Sequence, residues 1–232
     1  MLSITGLDGY YGNSRALQDV ALTLGQGGFL SVLGRNGVGK TTLMRSILGL
    51  LDRTRGSINL DGREINTLPT HERARAGIGY VPQGRGILPR FTVLENLRMG
   101  LFARTVSPQE DLEAAAFEMF PILKEFQHRL GGDLSGGQQQ QLAIARALQA
   151  NPKIILLDEP TEGIQPNIVE RIQEAIISIN RDRGITVLLV EQDIAFARAA
   201  SSSFAILEKG RVVATGASAD LSDQLVEKHL AV

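Results

Sequence analysis

The sequence predicts an α/β fold, with a largely parallel sheet at its core, an antiparallel β portion and a helical insertion. Three observations predict it. Ile154-Ile155-Leu156-Leu157 and Ile185-Thr186-Val187-Leu188-Leu189-Val190 are continuous apolar runs with many β-branched residues, as parallel strands covered on both faces require. Val20, Leu22 and Leu24 instead alternate with smaller or polar residues, the period of a half-solvated antiparallel strand. Helical stretches lie between the strand candidates, and alternation of this kind builds a layered structure.

The elements follow in order. Phe29-Leu30-Ser31-Val32-Leu33 is a buried-strand pattern, and a helix is expected from Thr41 to Leu51. Ile58-Asn59-Leu60 and Arg63-Glu64-Ile65 read as a hairpin turning at Asp61-Gly62. Helices are expected over Val93 to Phe102, Gln109 to Gln127 and Gly137 to Ala150. This stretch holds no convincing strand, so residues 85–150 read as a helical insertion. Residues 1–84 and 151–232 then form the sheet-bearing remainder of one domain spanning 1–232. Helices are also expected over Asn167 to Asp182 and Asp193 to Ala200. Ala205-Ile206-Leu207 and Arg211-Val212-Val213 form a second hairpin around Lys209-Gly210, before a last helix near 218–230.

Composition excludes several functions. The chain has 232 residues, enough to bury a substantial core. Its 24 Lys and Arg balance 25 Asp and Glu, leaving no basic field for nucleic acid or anionic lipid. With no cysteine, thiolate metal sites, disulfides and Cys nucleophiles are excluded. The opening Met1-Leu2-Ser3-Ile4-Thr5-Gly6-Leu7-Asp8 has no basic and apolar signal-peptide pattern, and no apolar run approaches the roughly 18 residues of a membrane span. A cytosolic protein is expected, reaching any membrane through a partner.

Gly34-Arg35-Asn36-Gly37-Val38-Gly39-Lys40-Thr41, followed by Thr42, fits G-x-x-x-x-G-K-[ST] between a strand and a helix. Glycines let consecutive backbone N–H groups turn inward as an anion nest, and the next helix aims its positive end at the same point. Lys40 is expected on β/γ-phosphates and the Thr41 hydroxyl on Mg2+. A P-loop of this kind needs a carboxylate on a neighbouring strand, and Asp158-Glu159 end the apolar run from Ile154. Strand alternation is expected to point the two acids apart, Asp158 to the metal and Glu159 to the attacking water. Ser135-Gly136-Gly137-Gln138 opens a second helix with exposed amides, a second anion site far along the chain. One nucleotide rarely needs two such helix ends from one chain, so the second is expected to serve a nucleotide held by another subunit.

With Leu134-Ser135-Gly136-Gly137-Gln138 and Leu157-Asp158-Glu159-Pro160-Thr161 beside the P-loop, the sequence resembles the ATP-binding subunit of ABC transporters over essentially its whole length. N-K-x-D and H-R-D elements of GTPases and kinases are missing. The resemblance implies the ABC ATPase fold and a head-to-tail dimer. ATP would lie between Gly34–Thr42 of one subunit and Ser135–Gln138 of the other. It also implies adenine stacking on Tyr11, and Gln83 reaching both Mg2+ and the water. The insertion would receive a transmembrane permease, placing the chain on the cytoplasmic face of the membrane, served indirectly by an extracytoplasmic substrate-binding protein. Arg85, Arg90, Arg98 and Arg104 are candidates for touching the permease, or for a solvated face. Two positions depart from the family: Gln165 stands where an aspartate is usual, and Gln192 where a histidine is. Glutamine can hydrogen-bond a phosphate but cannot carry a proton near neutral pH. Val81-Pro82-Gln83-Gly84-Arg85, Thr161-Glu162-Gly163-Ile164-Gln165-Pro166 and Val190-Glu191-Gln192 resemble the branch importing branched-chain amino acids, other hydrophobic amino acids, amides and urea, and Gln83-Gly84-Arg85 with Gly163-Ile164-Gln165-Pro166 look more like its urea-type than its leucine-type members. The expected function is ATP hydrolysis driving uptake of urea or short-chain amides. Branched-chain amino acids are the alternative cargo, and a weakly hydrolysing regulatory subunit is a further alternative. This branch implies two different ATPase subunits.

Overall fold

A computed structural model describes residues 1–104 and 111–230, and two sheets organise them. The chain runs β1 (Leu2–Tyr11), β2 (Ser14–Leu24), β3 (Phe29–Leu33), α1 (Lys40–Leu48), β4 (Arg53–Leu60), β5 (Arg63–Glu64), α2 (Thr70–Arg75), β6 (Ile78–Val81). Next come α3 (Val93–Met99), α4 (Leu112–Met119), α5 (Pro121–Glu125) and α6 (Gly136–Leu148). The chain closes with β7 (Ile154–Asp158), α7 (Pro166–Arg181), β8 (Thr186–Glu191), α8 (Ile194–Ala200), β9 (Ser203–Glu208), β10 (Arg211–Ala217) and α9 (Asp223–His229). One sheet has the order β2-β1-β4-β5 and is antiparallel; the other has the order β10-β9-β3-β8-β7-β6. In the second, β9, β3, β8, β7 and β6 run parallel and only β10 is antiparallel.

The continuous apolar runs are explained by burial on both faces. Ile155, Leu157, Val187 and Leu189 point into one core with α6, α7 and residues of α3, α4 and α5. Their neighbours Ile154, Leu156, Leu188 and Val190 point the other way, into a core shared with α1 and the antiparallel sheet. Successive side chains of a strand face opposite sides, so each strand joins two cores at once.

Several expected elements end or divide where backbone chemistry dictates. The first helix stops at Leu48 rather than Leu51, because Gly49 takes a left-handed cap conformation. The helix expected over 109–127 is two helices over its described part; Gln109 and Glu110 lie outside the described residues. Phe120 between them is non-helical, as the residue before a proline tends to be, and Pro121 opens the second. The helix expected over 93–102 is α-helical to Met99 and tightens to a 3-10 turn over Gly100–Ala103. There an added Cβ on Gly100 would lie 2.2 Å from the Arg146 carbonyl oxygen.

β1, α2 and β6 carry no sequence expectation. β1 is hidden by register shifts between Ile4 and Leu7, Leu7 and Gly9, and Gly9 and Tyr10, which break its alternation. β6 is four residues long and α2 six, too short to show a period.

Candidate functional site

The parallel strands β3, β7 and β8 end together, and a cleft of about 520 Å³ opens there. A crevice at the carboxyl ends of parallel strands is the usual ligand site of such sheets. Its wall includes Asn36 and Gly37 of the loop after β3, Lys40 at the start of α1, and Gln83 and Glu159. Gly39 has φ 111° and ends the loop in a backbone form open to glycine, immediately before α1.

Lys40 is 4% exposed, and all three ammonium protons have acceptors. Its Nζ donates to Gly34 O at 2.7 Å and Arg35 O at 3.0 Å, and pairs with Glu159 Oε1 at 2.9 Å. An incoming phosphate must therefore replace at least one of these partners. Thr41 Oγ1 donates to Asp158 Oδ1 at 3.2 Å, and the Tyr80 hydroxyl to Asp158 Oδ2 at 3.4 Å. Asp158 is fully buried, and desolvation pushes its carboxyl up to about 6, against the opposing hydrogen bonds from Thr41 and Tyr80.

Asp158 and Glu159 do diverge, but strand alternation is not the reason. The strand ends at Asp158, and Glu159 has φ 48°, a left-handed conformation that costs a non-glycine residue about 1–2 kcal/mol. This turn aims the Glu159 carboxylate across the cleft. Its Oε2 accepts from Gln83 Nε2 at 3.3 Å, and its Oε1 accepts from Gln192 Nε2 at 3.1 Å. Gln192 Nε2 also donates to Asn36 Oδ1 at 2.8 Å, and Gln83 Nε2 to Glu162 Oε2 at 2.7 Å. Lys40, Gln83, Gln192 and Glu159 thus form one cluster drawn from four separate segments.

The other candidates sit elsewhere. Ser135 caps α6 in a capping box with Gln138, and none of Ser135–Gln138 lines the phosphate cleft. Gly137 lets α6 approach α7: an added Cβ would be 2.5 Å from Ile168 Cγ2. Tyr11 is exposed at the end of β1, with the Arg45 guanidinium 5.5 Å from its ring centre, and is not part of the cleft wall. Tyr10 is the buried tyrosine, stacked beneath Arg53 at 4.1 Å. Of the candidate arginines, Arg85 donates to Gln139 Oε1, Arg98 pairs with Glu113 and Arg104 donates to Gln149 O.

Sequence reasoning missed Arg15, Ala16, Lys209 and Gly210, which also line the cleft. Gly210 N donates to Val38 O at 2.8 Å, so the β9–β10 hairpin braces the phosphate loop. The Lys209-Gly210 turn is legible in the sequence, but what it leans on is not.

Among the described residues, no group of three or more His, Asp or Glu could hold a metal alone. The neighbouring hydroxyl and carboxylate of Thr41 and Asp158 are hard oxygen donors, the type Mg2+ takes when substrate phosphates supply other ligands.

The model of the ABC transporter family matches residues 17–162. This chain belongs to the ABC transporter family. As an ABC transporter ATPase it binds and hydrolyses ATP, and its cassette fold is found in solved relatives. The dimeric post-hydrolysis structure of the ATP-binding cassette MJ0796, bound to ADP and Pi, superposes with a TM-score of 0.82 at 30% identity, covering 94% of this chain and 99% of that one. The high-affinity branched-chain amino acid transport ATP-binding protein BraG of Pseudomonas aeruginosa is 40% identical over 92% of this ATPase and 91% of BraG. The lipopolysaccharide export system ATP-binding protein LptB of Haemophilus influenzae is 39% identical over 93% and 90% of the two chains.

Proposed function

We propose that this ATPase powers uptake of branched-chain amino acids through a membrane permease, as one of two different cassettes sharing composite ATP sites. The observation that carries the cargo is the 40% identity to BraG over nine-tenths of both chains. The urea or short-chain amide cargo expected from Gln83-Gly84-Arg85 and Gly163–Pro166 gains no support from these relatives, so the alternative reading takes its place. The 39% identity to LptB favours a second reading, lipopolysaccharide export, which the same assay addresses. Among the described residues no helix is long and apolar enough to cross a membrane. On family resemblance, we assign attachment at the cytoplasmic face to the permease, with residues 85–150 as the insertion that meets it.

Catalysis is positioning and electrostatics. Lys40 and the amides of Gly34–Thr42 bind the phosphates, and Lys40 leaves Glu159 as it does so. Thr41, Gln83 and Asp158 would hold Mg2+, which supplies charge neutralisation on the phosphate oxygens. Glu159, freed of Lys40, accepts a proton from the attacking water, and Gln192 orients the γ-phosphate side of the cleft. Tyr11 stacks on adenine, a modest contact that chooses weakly among bases. Ser135–Gln138 complete the partner's site.

The test is ATP turnover in liposomes holding the chain, its permease and its partner cassette. Binding protein loaded with leucine, isoleucine or valine is expected to stimulate hydrolysis. Stimulation by urea alone, or by lipopolysaccharide alone, overturns the cargo. Glu159→Gln is expected to bind ATP and hardly turn over; hydrolysis at the unsubstituted rate removes Glu159 from its role.

A further inference from the structure

One buried acid near the cleft has no part in that scheme. Glu191 ends β8, is 4% exposed, and precedes Gln192. Its Oε1 accepts from Thr161 Oγ1 at 2.6 Å, and the Thr161 backbone amide also bonds the carboxylate. Its Oε2 accepts from the backbone amides of Gln192 at 2.9 Å and Asp193 at 3.4 Å. Burial pushes its carboxyl pKa up, opposed by these hydrogen bonds. A carboxylate placed here loses its hydration, so it persists only where donors replace water. Those donors come from two segments that must stay aligned. Thr161 lies two residues after Glu159, and the amides belong to the turn that carries Gln192.

We propose that Glu191 is a positioning residue for ATP hydrolysis: its carboxylate ties Thr161 to the Gln192 turn and so fixes Gln192 against Glu159. The proposal rests on the roles given above to Glu159 and Gln192. Both side chains that meet, Gln192 Nε2 and Glu159 Oε1 at 3.1 Å, project from irregular backbone. Gln192 is exposed and long, so without an anchored backbone its amide would sample several rotamers. Backbone links in this corner, the β7–β8 pairing of Asp158 with Val190 and the bond from Glu159 N to Val190 O at 2.9 Å, hold the strand ends but not the Gln192 turn. Glu191 adds a side-chain tie between that turn and Thr161. It touches neither cleft wall nor phosphate loop among the described contacts, so it acts through others.

Glutamine at 191 keeps the shape but offers one acceptor oxygen in place of two: its NH2 can still donate to Thr161 Oγ1, yet it then faces the Thr161 backbone N–H, so that donor is left without its carboxylate partner. In the assembled transporter, Glu191→Gln is expected to lower kcat about tenfold or more, since a misplacement of about 1 Å can cost up to 10²-fold. KM for ATP is expected to stay within about threefold, because Lys40 and the loop amides keep their places and Gln192 reaches the loop only through the Asn36 side chain. Thr161→Val, which leaves only the Thr161 amide on the carboxylate, is expected to lower kcat in the same direction, and Thr161→Ser to keep the unsubstituted rate. The double variant Glu191→Gln/Thr161→Val should be no slower than the slower single, as expected for two residues acting through one contact. A kcat within about twofold in Glu191→Gln, losses that multiply in the double variant, or a KM rise matching the kcat loss overturns the proposal. If Glu191→Gln does not fold, Thr161→Val and Thr161→Ser decide it alone. Glu159→Gln is assayed in parallel: rapid turnover there removes the reading on which this rests, whereas an inactive Glu159→Gln beside an unaffected Glu191→Gln overturns the positioning role only.

Discussion

Asp158→Asn should stabilise the nucleotide-free protein while abolishing its turnover. The wild-type carboxyl is fully buried and pushed up from 3.8 to about 6, chiefly by lost hydration. At about 1.4 kcal/mol per pH unit, holding it ionised at pH 7.5 costs roughly 3 kcal/mol. Asparagine carries no charge, keeps an oxygen to accept from Thr41 Oγ1, and places an amide near the Tyr80 hydroxyl. Allowing for imperfect replacement of these bonds, the gain should be about 1–3 kcal/mol, or roughly 2–12 °C in Tm for a chain of this size. The sign with pH follows from the raised folded-state pKa. Between about 6 and 3.8 the folded wild type binds a proton that the unfolded chain does not, so its stability rises as pH falls. The advantage of Asp158→Asn should therefore be full above pH 6 and shrink as pH falls towards 3.8. Chemical denaturation of both proteins in EDTA, from pH 4.5 to 7.5, measures the gap. An asparagine variant less stable at pH 7.5, or a gap that does not change across that range, refutes the desolvation argument.

Gly210→Ala should damage the site from a distance. Gly210 has φ 77°, and an added Cβ would lie 2.3 Å from the Ala16 carbonyl oxygen, so the hairpin must shift and pull on Val38. A loss of about 1–3 kcal/mol in denaturation and weaker ATP binding are expected; unchanged nucleotide affinity in a folded variant would show that the hairpin does not brace the loop. Gln192→His should change kcat of the two-cassette complex while ATP affinity stays within about threefold, because Gln192 meets Glu159 and Asn36 rather than the phosphate-holding Lys40. Loss of ATP binding in that variant would place Gln192 in the binding machinery instead. The isolated chain should hydrolyse ATP slowly and its partner cassette should restore the rate; equal rates, measured by phosphate release, would defeat the two-subunit arrangement.

Residue order by itself determined that β3, β7 and β8 become buried strands, because burial on two faces demands unbroken apolar runs such as Ile154–Leu157 and Thr186–Val190, whereas the short parallel strand β6 was not legible. It likewise determined the phosphate loop and the capped start of α6, whose chemistry is local: glycine freedom, an N-cap and the backbone amides of a helix end. What only the tertiary structure decided are the meetings across long sequence separations. Lys40 pairing with Glu159, Gln192 bridging Asn36 to Glu159, and the β9–β10 hairpin supporting Val38 depend on strand order. The strand β1 escaped reading because its bulges cancel the period-two signal, and α4 and α5 divided at Phe120-Pro121 because proline constrains the residue before it. The direction of Glu159 came from its left-handed backbone, a conformation that residue type does not announce and that the packing of β7 against β8 enforces through Glu159 N and Val190 O. Local patterns are written in neighbouring side chains, whereas such contacts are set by which strands lie side by side.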